Sequence, residues 1–277
     1  MNENNRCVRA VSLLSIAGTD SLGGAGTAAD SAVFRSYGFA GLTVETALVS
    51  QDSQGVYGFV PSPDTLVVDR LTKVRADCDI AGVKVGMTGS PEIVAALSES
   101  LRAWTDRPPV ILDTVRASGG VDGGALHQGD FDTQFDVLFP YLTLITPNAS
   151  ELGALTGLEV HRLTDAIEAA ERLHLRGARA VLIKGGHLEQ RGRDFLSIAG
   201  EGVHPVYRGE EWGVDIHGTG CHLSSAIVSE LARGKGLLEA CRDATAWLHR
   251  LVAKGAYYQV GRGRPQFDPL RLQLGFR

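Results

Sequence analysis

The segment from His217 to Cys221 reads HGTGC and has residue types that could bind an anion and carry a reactive group. Its small residues would let backbone N–H groups converge on an anion at the start of the following helix, where the helix dipole adds positive potential. The same field would lower the pKa of the Cys221 thiol. Alternatively, Cys221 is a small apolar residue packed in a helix start. We interpret His217 and His222 as packing or surface residues, since no third ligand supports a metal site.

A second glycine-rich turn, AGTDSLGGAG from Ala17 to Gly26, lies between a predicted strand and a predicted helix. Its backbone N–H groups could face a ligand, or the segment could be an ordinary tight turn. The spacing GxGxxG is absent. The turn is therefore not the dinucleotide-binding fingerprint, and the chain has no phosphate loop of the GxxxxGK type either.

Polar side chains end three other predicted strands, at the edge where open α/β sheets bind ligands. Gln51 could present a donor and an acceptor to a heterocycle, or it could be an ordinary surface glutamine. Glu151 could hold Mg²⁺ or a metal-bound water, or it could form a capping box with Asn148. Lys184, which precedes two glycines, could meet phosphate charge or could extend from the strand end towards solvent.

Short β-branched runs alternate with amphipathic segments, which is typical of βαβ units and a largely parallel sheet. The predicted strands are Val11–Ala17, Leu42–Ser50, Gly82–Met87, Val110–Val115, Leu142–Pro147 and Ala180–Lys184. The predicted helices are Gly26–Tyr37, Pro63–Ala76, Pro91–Trp104, Phe131–Phe139, Thr164–Arg176, Gly220–Ala232 and Leu237–Ala256. Asp194–Ala199 and Val203–Tyr207 predict an antiparallel hairpin at the sheet edge, and the tail from Gly261 predicts a capping loop.

The pattern predicts a single domain over residues 1–277, with residues 1–10 as a flexible N-terminus. There is no internal repeat, low-complexity linker or step in composition that would mark a boundary. An N-terminal lobe ending near Ala81 is the alternative, but a Gly/Pro-rich linker of the usual kind is missing there.

Composition narrows the class of protein. The 277 residues carry a net charge of −5 with no long basic run, which argues against nucleic acid or an anionic membrane as the main partner. No apolar run approaches the roughly 18 residues that span a bilayer, and the N-terminus lacks signal-peptide order. The cysteines lack CxxC spacing, which fits a reducing cytoplasm: Cys7, Cys78, Cys221 and Cys241.

Six collinear segments resemble the ribokinase-like superfamily and, within it, the hydroxymethylpyrimidine/phosphomethylpyrimidine kinases of thiamine biosynthesis. They are IAGTDSLGGAGTAAD from Ile16, ALVSQDSQGV from Ala47, VKVGMTGS from Val83, LITPNASEL from Leu144, VLIKGGHL from Val181 and HGTGCHLSS from His217. They are distributed from residue 16 to residue 225, so the resemblance extends over most of the chain. The resemblance implies a three-layer α/β/α sandwich, a phosphotransferase that uses ATP and Mg²⁺, and a homodimer.

The resemblance also implies roles for individual residues. Those expected around the pyrimidine are Gly18, Asp30, Val49, Gln51, Met87 and Cys221. Those expected around ATP are Asp113, Asn148, Lys184 and Thr219, with Glu151 and Asp113 at the metal. Backbone N–H groups of Gly218, Gly220 and Cys221 would face the transferred phosphoryl group, and Cys221 would lie nearest the reacting hydroxyl, in the position of a base.

The chain departs from the family pattern at three places. The loop Asp113–Gly120 has Arg116 where Met is usual and lacks the family's lysine; His222 replaces Thr, and Leu22 replaces Ser before GGAG. We expect the last two beside the pocket, where they could shift substrate choice. Two alternatives stay open: pyridoxal kinase activity, alone or alongside, and a non-catalytic ligand-binding protein that lost turnover through the altered loop.

Overall fold

The computed structural model describes residues 9–116, 126–189, 192–209 and 212–271. Eleven strands are assigned in these ranges: β1 Ser12–Gly18, β2 Ala40–Gln51, β3 Val56–Pro61, β4 Ile80–Val85, β5 Val110–Leu112, β6 Leu144–Ile145, β7 Ala180–Ile183, β8 Arg193–Ile198, β9 Gly202–Arg208, β10 Tyr257–Tyr258 and β11 Gln266–Phe267. The α-helices are α1 Gly26–Ser36, α2 Asp64–Asp77, α3 Pro91–Arg102, α4 Ala149–Thr156, α5 Leu163–Leu175, α6 Thr219–Ala232 and α7 Leu237–Ala253. The predicted flexible segment 1–10 lies outside the described residues except for Arg9 and Ala10.

Nine strands form one sheet in the order β3-β2-β1-β4-β5-β6-β7-β8-β9. The neighbours from β2 to β7 pair in parallel, while β3, β8 and β9 run antiparallel at the two edges. The predicted edge hairpin is confirmed as β8–β9. In this order the carboxyl ends of the parallel strands all open on the same side, so the loops that follow them meet there.

Helices cover both faces of the sheet, which confirms the predicted three-layer sandwich. One apolar core lies under α2, α3, α4 and α5 and includes Leu71, Leu97 and Leu152. The other lies under α1, α6 and α7 and includes Phe34 and Ile227. Strand β1 lies between the two cores, and all of its residues are buried.

Helix α3 shows why these segments fold as they do. The side chain of Ser90 accepts a hydrogen bond from the Ile93 N–H, and Pro91 occupies the first turn, where its missing N–H costs nothing. The apolar residues then recur on one face, so that Leu97 and Leu101 are fully buried against the sheet.

The predicted helix Phe131–Phe139 is wrong. Residues 131–138 form successive turns, followed by a short 3₁₀ helix, Phe139–Tyr141. Most backbone hydrogen bonds here join residues three apart, such as Leu138 N–H to Phe135 O. The Asp136 N–H bonds Thr133 O instead of Asp132 O, and Arg176 donates to the carbonyl of Asp132.

Strand β3 was not predicted, because the pattern after Ser50 contains turn residues and VYGFVP includes both Gly and Pro. The carboxylate of Asp52 accepts the Gln54 N–H at 2.8 Å and closes the turn that returns the chain antiparallel to β2. Strand β6 is shorter than predicted. No helix in the described ranges combines the length and apolarity needed to cross a membrane.

Truncating a core residue in α3 tests this packing. Leu97 is 0% exposed, so Leu97→Ala should lower the free energy of unfolding by about 2 to 5 kcal/mol through lost burial and a cavity. Leu175, which is 90% exposed, provides the control. Urea unfolding should show little change for Leu175→Ala; an equal loss in both variants would contradict the assigned core.

Candidate active site

A cavity of about 1090 Å³ opens at the carboxyl ends of the parallel strands. It is bounded by the turns after β1, β2, β4, β5 and β7 and by the start of α6. The following predicted site residues line it: Gly18, Val49, Gln51, Met87, Asp113, Asn148, Glu151, Lys184, Gly218, Thr219, Gly220 and Cys221. The sheet therefore brings together residues that are far apart in the chain.

Charged groups converge at one end of the cavity. The ammonium of Lys184 lies 3.6 Å from Oδ1 of Asp113. A Cβ placed on Gly220 would lie 3.3 Å from Oδ2 of Asp113 and 3.7 Å from Nζ of Lys184, so the start of α6 is directly beside both groups. The Thr146 hydroxyl donates to Asp113 at 3.0 Å. This end combines positive charge, carboxylate oxygen and a helix N-terminus, which together suit a phosphate chain.

Glu151 forms the capping box that the sequence offered as one interpretation, and its side chain also lines the cavity. It forms a capping box with Asn148, in which each side chain accepts the backbone N–H of the other residue, at 2.8 and 2.9 Å. It also lines the cavity and accepts a hydrogen bond from the Thr114 hydroxyl at 3.2 Å. Burial raises the pKa of this carboxyl to about 7, with Asp113 adding to the rise and Lys184 opposing it.

The donor set at this end fits Mg²⁺ held together with a nucleotide. Within the described residues no group of three or more His, Cys, Asp or Glu forms a metal cage. Mg²⁺ is commonly held by one or two carboxylates together with substrate phosphates and water. Asp113 and Glu151 supply two carboxylates that line the cavity and interact with Lys184, so the chain offers the number of carboxylates that such a site uses, and ATP and water would supply the other ligands.

Another part of the cavity is lined by apolar groups, and we call it the slot. A Cβ on Gly18 would lie 2.8 Å from the Met87 sulfur and 3.4 Å from Cγ2 of Val49, so both side chains pack against the Gly18 backbone and a larger residue would not fit there. Leu126 also lines this wall. Gln51 is the polar group at its edge, and its amide hydrogen-bonds the carboxylate of Asp20.

Asp20 is a site residue that sequence reasoning missed. It accepts the N–H groups of Leu22 and Ala25 at 2.9 and 2.8 Å, and it lies 3.1 Å from Nε2 of His217. Burial raises its pKa, but the hydrogen bonds from His217, Leu22 and Gln51 outweigh that effect and lower it. The sequence did contain a signal for it. An aspartate at the start of a glycine-rich turn is typical of an Asx turn, in which the side chain accepts the backbone N–H of the residue two positions later.

The glycine turns on either side of the cavity fit against each other. Gly218 adopts a left-handed conformation with φ of 80°, and a Cβ there would collide with the carbonyl oxygen of Gly24. Gly26 has a φ of 58°, and a Cβ on this residue would likewise collide with the carbonyl oxygen of Gly18. The Gly26 N–H hydrogen-bonds the sulfur of Cys221. The starts of α1 and α6 therefore meet at the thiol.

The expected lowering of the Cys221 pKa is wrong. Desolvation inside the cavity raises the pKa of the thiol to about 11, and it outweighs the opposing effects of Lys84 and of the Gly26 N–H. A helix N-terminus lowers a thiol pKa chiefly where the thiolate remains solvated. The group at the start of α6 is therefore a neutral thiol at neutral pH.

Four other expectations about position need correction, those for Asp30, Leu22, His222 and His217. Asp30 does not line the cavity: it is fully buried beneath it, bonded to Ser15, Ser225 and Lys84. Leu22 does not line the cavity either.

His222 is buried under the turn, where its Nδ1 donates to Gly218 O at 2.9 Å, and burial lowers its pKa to about 4. His217, by contrast, lines the cavity instead of being a mere packing residue. In the altered loop Asp113–Gly120, residues 117–120 lie outside the described residues.

Mostly parallel topology, loops that enclose a cavity at the strand ends, and a glycine turn that opens α6 beside Asp113 and Lys184 together define a small-molecule kinase of the ribokinase-like type. The chain belongs to the phosphomethylpyrimidine kinase family, whose profile matches residues 20–267. The hydroxymethylpyrimidine/phosphomethylpyrimidine kinase of Rhizobium meliloti is 34% identical over 253 residues, which is 91% of this chain and 94% of that protein.

Two solved structures show the same architecture. The phosphomethylpyrimidine kinase of Clostridium difficile superposes with a TM-score of 0.75 at 31% identity, and the alignment covers 87% of this chain and 98% of that chain. The pyridoxal kinase of Bacillus subtilis, in an ADP complex, superposes with a TM-score of 0.83 at 26% identity, covering 96% and 99%. The chain is therefore a kinase that transfers a phosphoryl group.

The raised pKa of Glu151 predicts a pH effect on stability. The folded state keeps a proton that the unfolded chain releases between about pH 4.5 and pH 7, so the free energy of unfolding should fall as pH rises through that window. The loss should be on the order of 3 kcal/mol, and Glu151→Gln should remove it.

Urea unfolding without Mg²⁺ at several pH values measures the effect as the difference between wild type and variant. Glu168→Gln, which removes an exposed partner of Arg172, is the control and should keep the wild-type profile. Identical pH profiles for wild type and Glu151→Gln would show that Glu151 titrates normally.

Proposed function

We propose that this enzyme phosphorylates the hydroxymethyl group of 4-amino-5-hydroxymethyl-2-methylpyrimidine and then the resulting monophosphate, with ATP and Mg²⁺, in thiamine biosynthesis. The observation that carries the proposal is that one cavity is lined both by apolar residues beside Gln51 and by the charged groups Asp113, Glu151 and Lys184 at the start of α6. Family membership and the named Rhizobium relative support the same substrate.

The slot end suits an aminopyrimidine. Gly18, Val49 and Met87 would contact the faces of the ring, and the Gln51 amide would pair with its amino and ring-nitrogen edge. Asp20 fixes the Gln51 amide from behind, so the orientation of donor and acceptor is set before the ring enters. A polar edge in an apolar slot gives specificity, because a ring without the matching groups would leave Gln51 unpaired.

The charged end suits the phosphates of ATP. Asp113, Asn148, Lys184 and Thr219 would surround the nucleotide, with Glu151 and Asp113 at Mg²⁺. When bound, Mg²⁺ neutralises charge on the phosphates and orients them. The substrate oxygen attacks the γ-phosphorus, the bond to the bridging oxygen of ADP breaks, and the hydroxyl gives up its proton.

Backbone N–H groups of Gly218, Gly220 and Cys221 would face the transferred phosphoryl group, which becomes more highly charged at its oxygens in the transition state. Cys221 would lie nearest the reacting hydroxyl. While its thiol is neutral, Cys221 would orient that hydroxyl. For transfer the thiol would first release its proton to solvent, and the resulting thiolate would accept the hydroxyl proton as the new P–O bond forms. A loose transition state requires little of a base, so positioning and charge stabilisation dominate the rate.

A separate apolar part of the cavity suits the nucleobase of ATP. Trp212, Leu223 and Leu248 line it, and the indole N–H of Trp212 donates to His249 at 2.9 Å. Thr245 lines the same part, and its buried hydroxyl has no hydrogen-bond partner among the described residues. A buried polar group of this kind is costly unless a ligand pairs with it, which a base nitrogen would do.

Pyridoxal kinase activity is the second candidate, and the superposition on the Bacillus subtilis enzyme favours it. A coupled ADP-release assay against hydroxymethylpyrimidine, its monophosphate and pyridoxal separates the candidates. We expect the highest kcat/KM with the pyrimidine. Higher efficiency with pyridoxal would reverse the assignment, and no turnover with any of the three would support the non-catalytic alternative.

Two other features are proposed on the resemblance alone. We expect a cytoplasmic enzyme that forms a homodimer, which analytical ultracentrifugation of the full chain would measure. A monomer across the micromolar range would contradict the second expectation without affecting the assignment of the reaction.

Gln51→Ala should raise KM for the pyrimidine while KM for ATP stays nearly constant, because an unpaired ring edge costs about 1 to 3 kcal/mol. Gln54, which is exposed in the same turn and does not line the cavity, is the matched control. Steady-state kinetics of both variants measure the effect. If Gln51→Ala binds the pyrimidine like wild type, the slot does not hold the ring at that edge.

Thr245→Val should raise KM for ATP by roughly threefold to tenfold and leave KM for the pyrimidine unchanged, since it removes one hydrogen bond to the base while keeping the shape. Thr72→Val on the exposed face of α2 is the control. Unfolding curves should coincide with wild type, because the replaced hydroxyl has no partner in the described structure. An effect on pyrimidine KM instead would place the base elsewhere.

A further inference from the structure

A cluster of buried polar side chains lies beneath the cavity. The carboxylate of Asp30 accepts three hydrogen bonds: from the hydroxyl of Ser15 at 2.5 Å, from that of Ser225 at 2.8 Å and from the ammonium of Lys84 at 2.8 Å. All four residues are 0% exposed. They come from β1, α1, β4 and α6, so the cluster ties the sheet to two helices.

The cluster lies one helical turn behind the residues that meet at the cavity. Asp30 follows Gly26 by four residues on α1, and Ser225 follows Cys221 by four residues on α6, so each pair shares a helix face. The Gly26 N–H bonds the Cys221 sulfur at the helix starts, and the Ser225 hydroxyl bonds Asp30 one turn further on. The two helices are thus joined at successive turns.

Lys84 is the member of the cluster that borders the cavity. An ammonium has three donors, and one of them is used on Asp30. Space for Nζ exists because residue 86 is glycine: a Cβ there would lie 2.7 Å from Nζ. A fully buried ion pair is a weak source of stability, since desolvation offsets the attraction and apolar replacements are often as stable. Its position at the cavity suggests a use in the reaction.

We propose that Lys84 is a positioning residue for phosphoryl transfer: fixed by Asp30 at the cavity floor, its ammonium supplies positive charge to the Cys221 sulfur and orients the thiol between the starts of α1 and α6. The proposal rests on the proposed function, in which Cys221 lies at the reacting hydroxyl. The sulfur must be a thiolate before it can accept the substrate proton, and the Lys84 charge stabilises that thiolate. The proton transfer then leaves a neutral thiol.

Four charged groups act on Cys221 from the surrounding elements. Lys84 on β4 lowers the pKa of the thiol, whereas Asp30 on α1 and Asp113 after β5 raise it. Of the ion-paired residues Lys84 and Asp30, Lys84 has the larger effect on the pKa of the Cys221 thiol. The thiolate form in turn raises the pKa of Lys184 after β7, so that lysine also faces the sulfur. Removing Lys84 therefore leaves two carboxylates acting against the thiolate.

The experiment measures the alkylation rate of Cys221 against pH, by mass spectrometry of the peptide that contains it. Lys84→Met keeps the chain length and removes the charge, so the alkylation rate at pH 9 should fall about tenfold, with the apparent pKa raised by about one unit. The double variant Lys84→Met/Asp30→Asn keeps an acceptor for Ser15 and Ser225, and it should show a smaller shift in the same direction. If Lys84→Met does not fold, the alkylation profile of the double variant provides the test.

A matched control is Lys235→Met, which breaks the ion pairs of Lys235 with Glu230 and Asp243 away from the cavity. It should leave the alkylation profile unchanged. Wild-type alkylation profiles in a folded Lys84→Met or in the folded double variant would overturn the proposal, since a purely structural role predicts that result.

Kinetics test the route through Cys221. Lys84→Met should lower kcat about tenfold with KM for ATP unchanged, and in a Cys221→Ser background the same substitution should have little further effect on kcat. If the losses in kcat caused by Lys84→Met and by Cys221→Ser were fully additive in the double variant, the claim that Lys84 acts through the sulfur would be overturned. The alkylation result does not depend on the substrate, so failure of the proposed function would appear in the substrate assay and leave the alkylation test intact.

Discussion

The close approach of two glycine turns is the constraint on which the rest of the site depends. Gly24 and Gly218 face each other, and Gly26 lies against the carbonyl of Gly18, at distances that a Cβ would not allow. Because these turns carry the starts of α1 and α6, their contact brings two helix N-termini to one sulfur, that of Cys221. The starts of both helices therefore border the same cavity.

Buried charge is the second theme of the molecule. The cavity brings the carboxylates of Asp113 and Glu151 close to Lys184, while Asp30 and Lys84 pair beneath the floor. Charges in such surroundings need partners, and most of these have them through hydroxyls or backbone N–H groups. Glu151 has both kinds of partner, yet burial raises its pKa to about 7. A cation that bound beside this carboxyl would stabilise its ionised form and displace the proton.

The same scaffold accommodates related ring substrates, as the similarity to kinases named for phosphomethylpyrimidine and for pyridoxal shows. The charged end of the cavity and the slot are built from different segments, since α6 and the turns after β5 and β7 form the former and β1, β2 and β4 the latter. Under the proposed function, changes in the slot would alter the substrate while the charged end stays constant. Asp20 and Gln51 are the polar pair through which such a change would act.

The sequence by itself determined the α/β class, the edge hairpin and most of the helices, because periodicity and turn residues are local signals. The family resemblance, and not periodicity, indicated many of the residues that line the cavity, while Asp20 and His217 were recognised there only from the structure. Local signals could not give strand β3, whose identity depends on pairing with β2 across a turn, or the turns at residues 131–138, whose carbonyls bind a distant arginine. Tertiary structure also decided the protonation of Cys221 and the place of Asp30 beneath the floor. Desolvation and ion pairing depend on which distant residues surround a group, and no local pattern records that.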